Sequence, residues 1–265
     1  MTSPRPIPPL VGMVHLAPLP GSPRYGGSMA AVVDDSVQRA SILSQAGFQA
    51  LMVENFGDVP FFAEEVPPVT VAAMTACIAA IRSEVDCVLG VNVLRNAALA
   101  AVGIAGAIKA ELIRVNVLSG RMTTDQGPIT GRAAEVLRAA SALGSPMAVW
   151  ADVFVKHATP PPGLTIEQAA VDTWERGGAD ALIISGSGTG HAPDLDRFDA
   201  VRRAVPAAPL VVGSGATPEN LKELAGLVDH VIVGTALEEE GRPGAPIDRV
   251  RLDRFMTAAS GAGWV

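Results

Sequence analysis

Thr165-Ile-Glu-Gln-Ala-Ala-Val-Asp-Thr-Trp-Glu-Arg-Gly-Gly-Ala-Asp-Ala-Leu-Ile-Ile-Ser185 carries the signal that decides the fold. Thr165 and Gln168 stand three residues apart ahead of a helical run. That is the spacing of a capping box, in which each side chain satisfies the other residue's free backbone N–H. Gly177-Gly178 then stops the helix, and Ala181–Ser185 follows as a short apolar run bounded by turn residues. A helix that feeds straight into a buried strand is one unit of an alternating pattern.

The same kind of run recurs at Leu10–His15, Ala50–Glu54, Cys87–Asn92, Leu112–Val115, Met147–Asp152, Leu210–Gly213 and His230–Val233, which with Ala181–Ser185 makes eight. Between them the apolar period becomes helical, as in Met29, Val32, Val33, Val37, Ala40 and Leu43, or Leu221, Leu224, Ala225 and Val228. Thr217-Pro218 sets a cap residue before a proline at a first helical position. Strands that are apolar at nearly every residue are buried on both faces, as in a parallel sheet covered by helices. Eight βα units in this length predict an α/β fold, a single closed (β/α)8 TIM barrel. A doubly wound open sheet is the alternative. No linker or composition shift divides residues 1–265, and the Pro-rich first nine residues read as a tail leading into the first strand.

The 265 residues are 49% hydrophobic and 18% charged, too apolar for disorder. Twenty basic against 27 acidic residues give a net charge of -7 with no run of Lys or Arg, which argues against a nucleic-acid partner. The longest charge-free run, Pro6–Pro23, contains six prolines and cannot be a membrane helix. No targeting signal is visible, and Cys77 and Cys87 without C-x-x-C spacing read as reduced thiols, so a cytoplasmic protein is expected.

In such a barrel the chemistry lies at the carboxyl ends of the strands. Those ends are polar: His15, then Glu54-Asn55, then Asn92 with Arg95 beyond, then Arg114 and Asn116, then Asp152 followed by Lys156-His157. Arg114 stands among Leu112, Ile113, Val115 and Val117, where a guanidinium must find a carboxylate or a ligand anion. Ligand contact is the favoured expectation, and an ion pair with Glu54 or Asp152 is the structural alternative. Glu54 and Asp152 are the candidate acid and base, with Lys156 as a catalytic cation. Lys156 lies beyond its strand, which disfavours a Schiff base. His15, Asn92, Arg114, Asn116 and Asp125 are candidate substrate contacts.

Glycine-rich segments follow the last three strands: Ser185-Gly186-Ser-Gly188, Gly213-Ser214-Gly215 and Gly234-Thr235. Glycine lets backbone N–H groups close around an anion, and a helix starting at Thr217-Pro218 would aim its positive end at Gly213–Gly215. These residues form the candidate phosphate site. Their spacing is wrong for a dinucleotide fingerprint and no metal-ligand spacing appears, so neither a cofactor nor a metal is expected. Leu118–Thr130 is a long polar connection, either a lid carrying Asp125 and Gln126 or an inert link. Phe61-Phe62 suits a contact in a homo-oligomer, or folds back over the helix layer.

Val11-Gly-Met-Val-His-Leu-Ala-Pro-Leu-Pro-Gly-Ser-Pro23, Val53-Glu-Asn-Phe-Gly-Asp-Val-Pro60, Gly90-Val-Asn-Val-Leu-Arg-Asn96, Ile113-Arg-Val-Asn-Val117, Thr124-Asp-Gln-Gly127 and Ala151-Asp-Val-Phe-Val-Lys-His-Ala158 resemble the BtpA/SgcQ family. With Ser185-Gly186, Gly213-Ser-Gly215 and Val233-Gly-Thr235 the resemblance covers nearly the whole chain. One departure is Ala97-Ala98 after Asn96, where an acidic residue is expected. The resemblance implies a ribulose-phosphate-binding TIM barrel. It does not settle a reaction: one branch is named for photosystem I biogenesis, another is linked to carbohydrate operons, and some members carry a nucleoside-triphosphatase label. The residues point to an isomerase, lyase or hydrolase acting on a phosphorylated metabolite, such as a sugar phosphate or a nucleotide-like compound. The rival expectation is a non-catalytic assembly factor for a membrane protein complex that retains an anion site.

Overall fold

The eight apolar runs become eight parallel strands: β1 (Leu10–His15), β2 (Ala50–Glu54), β3 (Val88–Asn92), β4 (Leu112–Val115), β5 (Ala148–Asp152), β6 (Ala181–Ile184), β7 (Leu210–Val212) and β8 (His230–Val233). The computed structural model describes residues 5–144, 146–186 and 194–265. Each strand pairs with the next in chain order, and β8 returns to β1 through Leu10 opposite Val231. That last pairing closes the barrel and excludes the open sheet.

Period two sorts every strand. The inward positions Val11, Met13, Ala50, Met52, Val88, Leu112, Trp150, Ala181, Ile183, Val211 and Ile232 pack together as the barrel interior. The outward positions join the main core under the helices, as Val14, Leu51, Leu89 and Ile113 do. Beyond its inward apolar residues, each strand presents its last inward position at the mouth. His15 pairs laterally with Glu54, Glu54 with Asn92 and Asn92 with Arg114, so four adjacent strands hold their polar ends in one continuous row.

The helical layer is α1 (Met29–Gln45), α2 (Pro68–Glu84), α3 (Ala98–Ile108), α4 (Ala133–Ala142), α5 (Ile166–Val171), α6 (Leu195–Ala204), α7 (Leu221–Leu224) and α8 (Arg249–Gly261). The capping box at Thr165 is present with both of its hydrogen bonds, and α5 runs on into a π-helical turn over Asp172–Arg176. At α7 the structure departs from the sequence expectation, because no helix begins at Pro218. Asn220 Oδ1 accepts from the Thr217 N–H at 2.8 Å, and Asn220 Nδ2 donates to the Gly215 carbonyl at 2.9 Å. This side-chain-closed turn competes with helix formation, and only the four residues after it are helical.

Leu118–Thr130 is not a loose connection. Arg121–Thr124 and Gly127–Thr130 form an antiparallel hairpin whose first strand also pairs with Ala158–Thr159 after β5. Val117, Met122, Ile129 and Val155 give it a small core of its own. The N-terminal tail is pinned across the other end of the barrel: Arg5 reaches Asp86 and Glu111, and the Pro8 carbonyl lies 3.1 Å from His230 Nδ1. Among the described residues no helix is long and apolar enough to cross a membrane.

Candidate active site at the barrel mouth

A cavity of about 470 Å³ opens at the carboxyl ends of the strands. His15, Glu54, Arg114, Asn116 and Lys156 line it, together with Gly213, Ser214, Gly215, Gly234 and Thr235. Glu54 is buried and accepts a hydrogen bond from Asn92 Nδ2. The Nε2 of His15 lies 4.0 Å from the other Glu54 oxygen, and its Nδ1 is 2.8 Å from Glu238 Oε1. Glu238 is fixed in turn by the Gly244 N–H at 3.2 Å and by Arg39 at 3.8 Å. The imidazole therefore has one nitrogen held from behind and the other turned toward Glu54.

Arg114 resolves into the ion pair that sequence reasoning ranked second. Its Nε and Nη2 grip Asp152 at 2.9 and 2.8 Å, and Asn116 Nδ2 adds a third hydrogen bond at 3.0 Å. The Asp152 side chain is 0% exposed and borders a small recess with Ser119 and Thr173 instead of the main cavity. Asp152 is thus no partner facing Glu54 in acid–base work, because a guanidinium buried on β4 needs a carboxylate and takes this one. Burial works against the Arg114 charge, but Asp152, with help from Glu54, overcomes it and raises the pKa.

Three basic side chains stand around this pair. Arg95 is buried and donates to the Lys156 carbonyl. Burial lowers its pKa, with Arg114 nearby adding to the effect. Lys156 is half-buried, and burial, then Arg114, lowers its pKa. His157 is lowered by burial and then by Lys156 and Arg95. The exposed Asp125 sits at the hairpin tip, bound by Gln126 and away from the cavity wall, and it acts on Arg95 and His157 only through its charge.

Across the mouth lie the glycine segments. A Cβ on Gly213 would stand 2.4 Å from Ile183 Cγ2 and 2.5 Å from Ser185 Oγ, so only glycine lets the chain pass there. Gly215 has φ +85°, a conformation that side chains disfavour. The hydroxyls of Ser185 and Ser214 and the side-chain Oδ1 of Asn116 are buried with no hydrogen-bond partner among the described residues. Ser185 and Gly186 do not line the cavity, and Gly188 lies outside the described residues. The α7 turn removes the helix end expected behind Gly213–Gly215.

Sequence reasoning missed Glu238, Arg251 and Arg254. Glu238 follows β8 in an acidic triplet that looks like solvated surface, and the arginines come from α8, outside the strand ends where the search was made. Asn55 and Asn96 prove to be braces for neighbouring loops, each accepting from one backbone N–H, those of Leu94 and Val117.

A model of the BtpA family matches residues 7–261. The chain belongs to the BtpA family. It is 42% identical to the photosystem I biogenesis protein BtpA of Synechocystis over 94% of this chain and 87% of that one. It is 48% identical to an uncharacterized protein of Thermococcus kodakarensis over 95% of each. Among solved structures, 3-hexulose-6-phosphate synthase from Salmonella typhimurium matches with TM-score 0.59 at 14% identity, over 96% of this chain and 99% of that one. A native KDPGal structure matches with TM-score 0.59 at 18% identity over 97% of each. At these identities the structural matches speak for the fold of this BtpA-family chain, a TIM barrel.

Proposed function

We propose that this BtpA-family chain is an enzyme that acts on a small phosphorylated metabolite, with the phosphate seated against Gly213–Gly215 and Gly234–Thr235. The Ser214 hydroxyl carries the reading: it is buried, lacks a partner among the described residues, and stands on the cavity wall between two glycines. A polar group in that position costs free energy until a ligand satisfies it. 3-Hexulose-6-phosphate synthase and phosphoribosyl anthranilate isomerase, whose names carry phosphorylated compounds, share this fold. Glu54 and His15 form the proton-transfer pair in this reading, and Lys156 stabilises negative charge that develops on the substrate. Proton transfer beside a carbonyl, as in isomerases and lyases, suits that inventory.

Inorganic phosphate and ribose 5-phosphate are expected to raise the melting temperature, since a ligand at about 100 times its Kd adds roughly 2.7 kcal/mol to the folded state. Ser214→Asp places a negative charge in the cradle without touching Gly215, whose positive φ a side chain would strain, and should abolish the shift. An unchanged response in a folded Ser214→Asp protein removes the phosphate assignment.

A further inference from the structure

The charges around the cavity do not balance. Arg95, Arg114 and Lys156 come from β4 and from the loops after β3 and β5. The carboxylates near them are Asp152 and Glu54, with Asp125 more distant. Asp152 is consumed by Arg114 in a two-pronged pair. Glu54 is engaged by Asn92 and faces His15. Arg95, only 6% exposed, spends one nitrogen on a backbone carbonyl and forms no ion pair among the described residues. The Lys156 ammonium forms neither an ion pair nor a hydrogen bond with any described residue. The residues outside the description, 1–4, 145 and 187–193, contain no Asp or Glu, so none of them adds a carboxylate to this account.

Two cations held this way call for a counter-charge, because a buried charge is tolerated when it is paired and penalised when it is not. Ring order sets Arg95, after β3, opposite the cradle strand β7, while Lys156, after β5, stands two strands from β7 and three from β8. Arg95 therefore offers its counter-charge on the side of the ring away from the phosphate, with Lys156 between the two. From this geometry we infer that the substrate is a phosphorylated carboxylic acid, its carboxylate bound by Arg95 and Lys156 while its phosphate occupies the Ser214 loop. A planar carboxylate matches one guanidinium edge plus one ammonium, and its single negative charge leaves the second cation for the reacting end of the ligand. The inference rests on the phosphate reading above and adds the chemistry of the second end.

The test compares ligands that share a phosphate and differ only in the acid. Calorimetric titration would use 3-phosphoglycerate against glycerol 3-phosphate and 6-phosphogluconate against sorbitol 6-phosphate, with fructose 1,6-bisphosphate and gluconate as controls. In at least one pair the acid should bind ten times tighter or more. That advantage should fall below threefold in Lys156→Met and in Arg95→Met, with Arg95→Lys serving where the methionine variant does not fold. Ser214→Asp should weaken both members of the pair alike. Equal affinities within both pairs, still abolished by Ser214→Asp, would overturn the inference and leave the phosphate reading standing. An acid preference that survives both cation variants also overturns it, as does a bisphosphate that binds as tightly as the better acid. Gluconate binding that depends on Lys156 but not on Ser214 keeps the carboxylate subsite and removes the phosphate reading. Failure of every ligand overturns both.

Discussion

Arg114 and Lys156 both sit at the barrel mouth, yet opposite consequences follow from whether a carboxylate is within reach. Arg114 has Asp152, so replacing either partner leaves the other buried, charged and unmatched. Arg114→Met and Asp152→Asn should each cost about 3–5 kcal/mol in urea denaturation, and the double variant should cost less than their sum. A loss under about 1 kcal/mol for Arg114→Met would show that the guanidinium serves the ligand and not the fold. Lys156 has no such partner among the described residues, and its pKa is lowered by burial from the ordinary 10.5. Below the lowered value both folded and unfolded chains are protonated, and the folded one bears the full cost of a confined ammonium. Between the lowered value and 10.5 the unfolded chain holds more protons than the folded one, so wild-type stability gains as pH rises through that window. Lys156→Met should accordingly melt above the wild type at neutral pH, with the gap closing as pH climbs toward the ordinary lysine value. A gap that widens with pH contradicts a lowered pKa.

The elements differ in how far their sequences announce them. The eight strands were legible to within a residue at each end, because continuous apolarity has one explanation in a chain with helical segments between. His15, Glu54, Asn92 and Arg114 were legible as strand-end polar groups, and period two together with register brought them into one row. The Arg114 partner was not legible, since period two places Asp152 and Glu54 alike on inward faces and only three-dimensional reach separates them. Nor was the α7 turn, where Asn220 outcompetes the Thr217-Pro218 signal through bonds to Gly215 and Thr217. Glu238 escaped because its burial comes from Arg39 on α1 and from Gly244, two segments remote in the chain or looped back upon it. The hairpin over 121–130 looked like polar connection because a small core of Val117, Met122, Ile129 and Val155 leaves most of its surface hydrophilic. This satellite core is separate from the barrel core, so it should open separately. Ile129→Ala, at a position with no exposure, should speed amide exchange at Met122 and Thr123 while the barrel-strand amides keep their protection. Uniformly faster exchange across the barrel would show the hairpin to be part of one cooperative unit.

At the scale of the whole molecule, a closed barrel with a polar mouth serves an enzyme or a binding scaffold equally well, and the fold cannot choose between them. The net charge of -7 is equally silent, since the cavity's cations are gathered at one end of an acidic body. The choice turns on Glu54. A scaffold that retains an anion site gains nothing from a buried carboxylate on the wall where an anion must sit; by Coulomb repulsion it weakens the very binding it lines. An enzyme gains a base there, aimed by Asn92 and adjoining His15, whose other nitrogen Glu238 holds. Glu54→Gln is near-isosteric and its amide oxygen can still accept from Asn92, so the fold and the phosphate-induced thermal shift should persist, with anion affinity equal or higher. Turnover, measured with the acid found to bind tightest, should fall by about 10² to 10⁴, the usual contribution of a positioned acid or base. Glu238→Gln should lower turnover less and move its pH profile, because it acts on the imidazole and not on the substrate. The gene-deletion phenotype then separates the two classes of function. If Glu54→Gln restores it as fully as the wild type does, the carboxylate has no catalytic task and the protein acts as an assembly factor, the sense in which its Synechocystis relative is named.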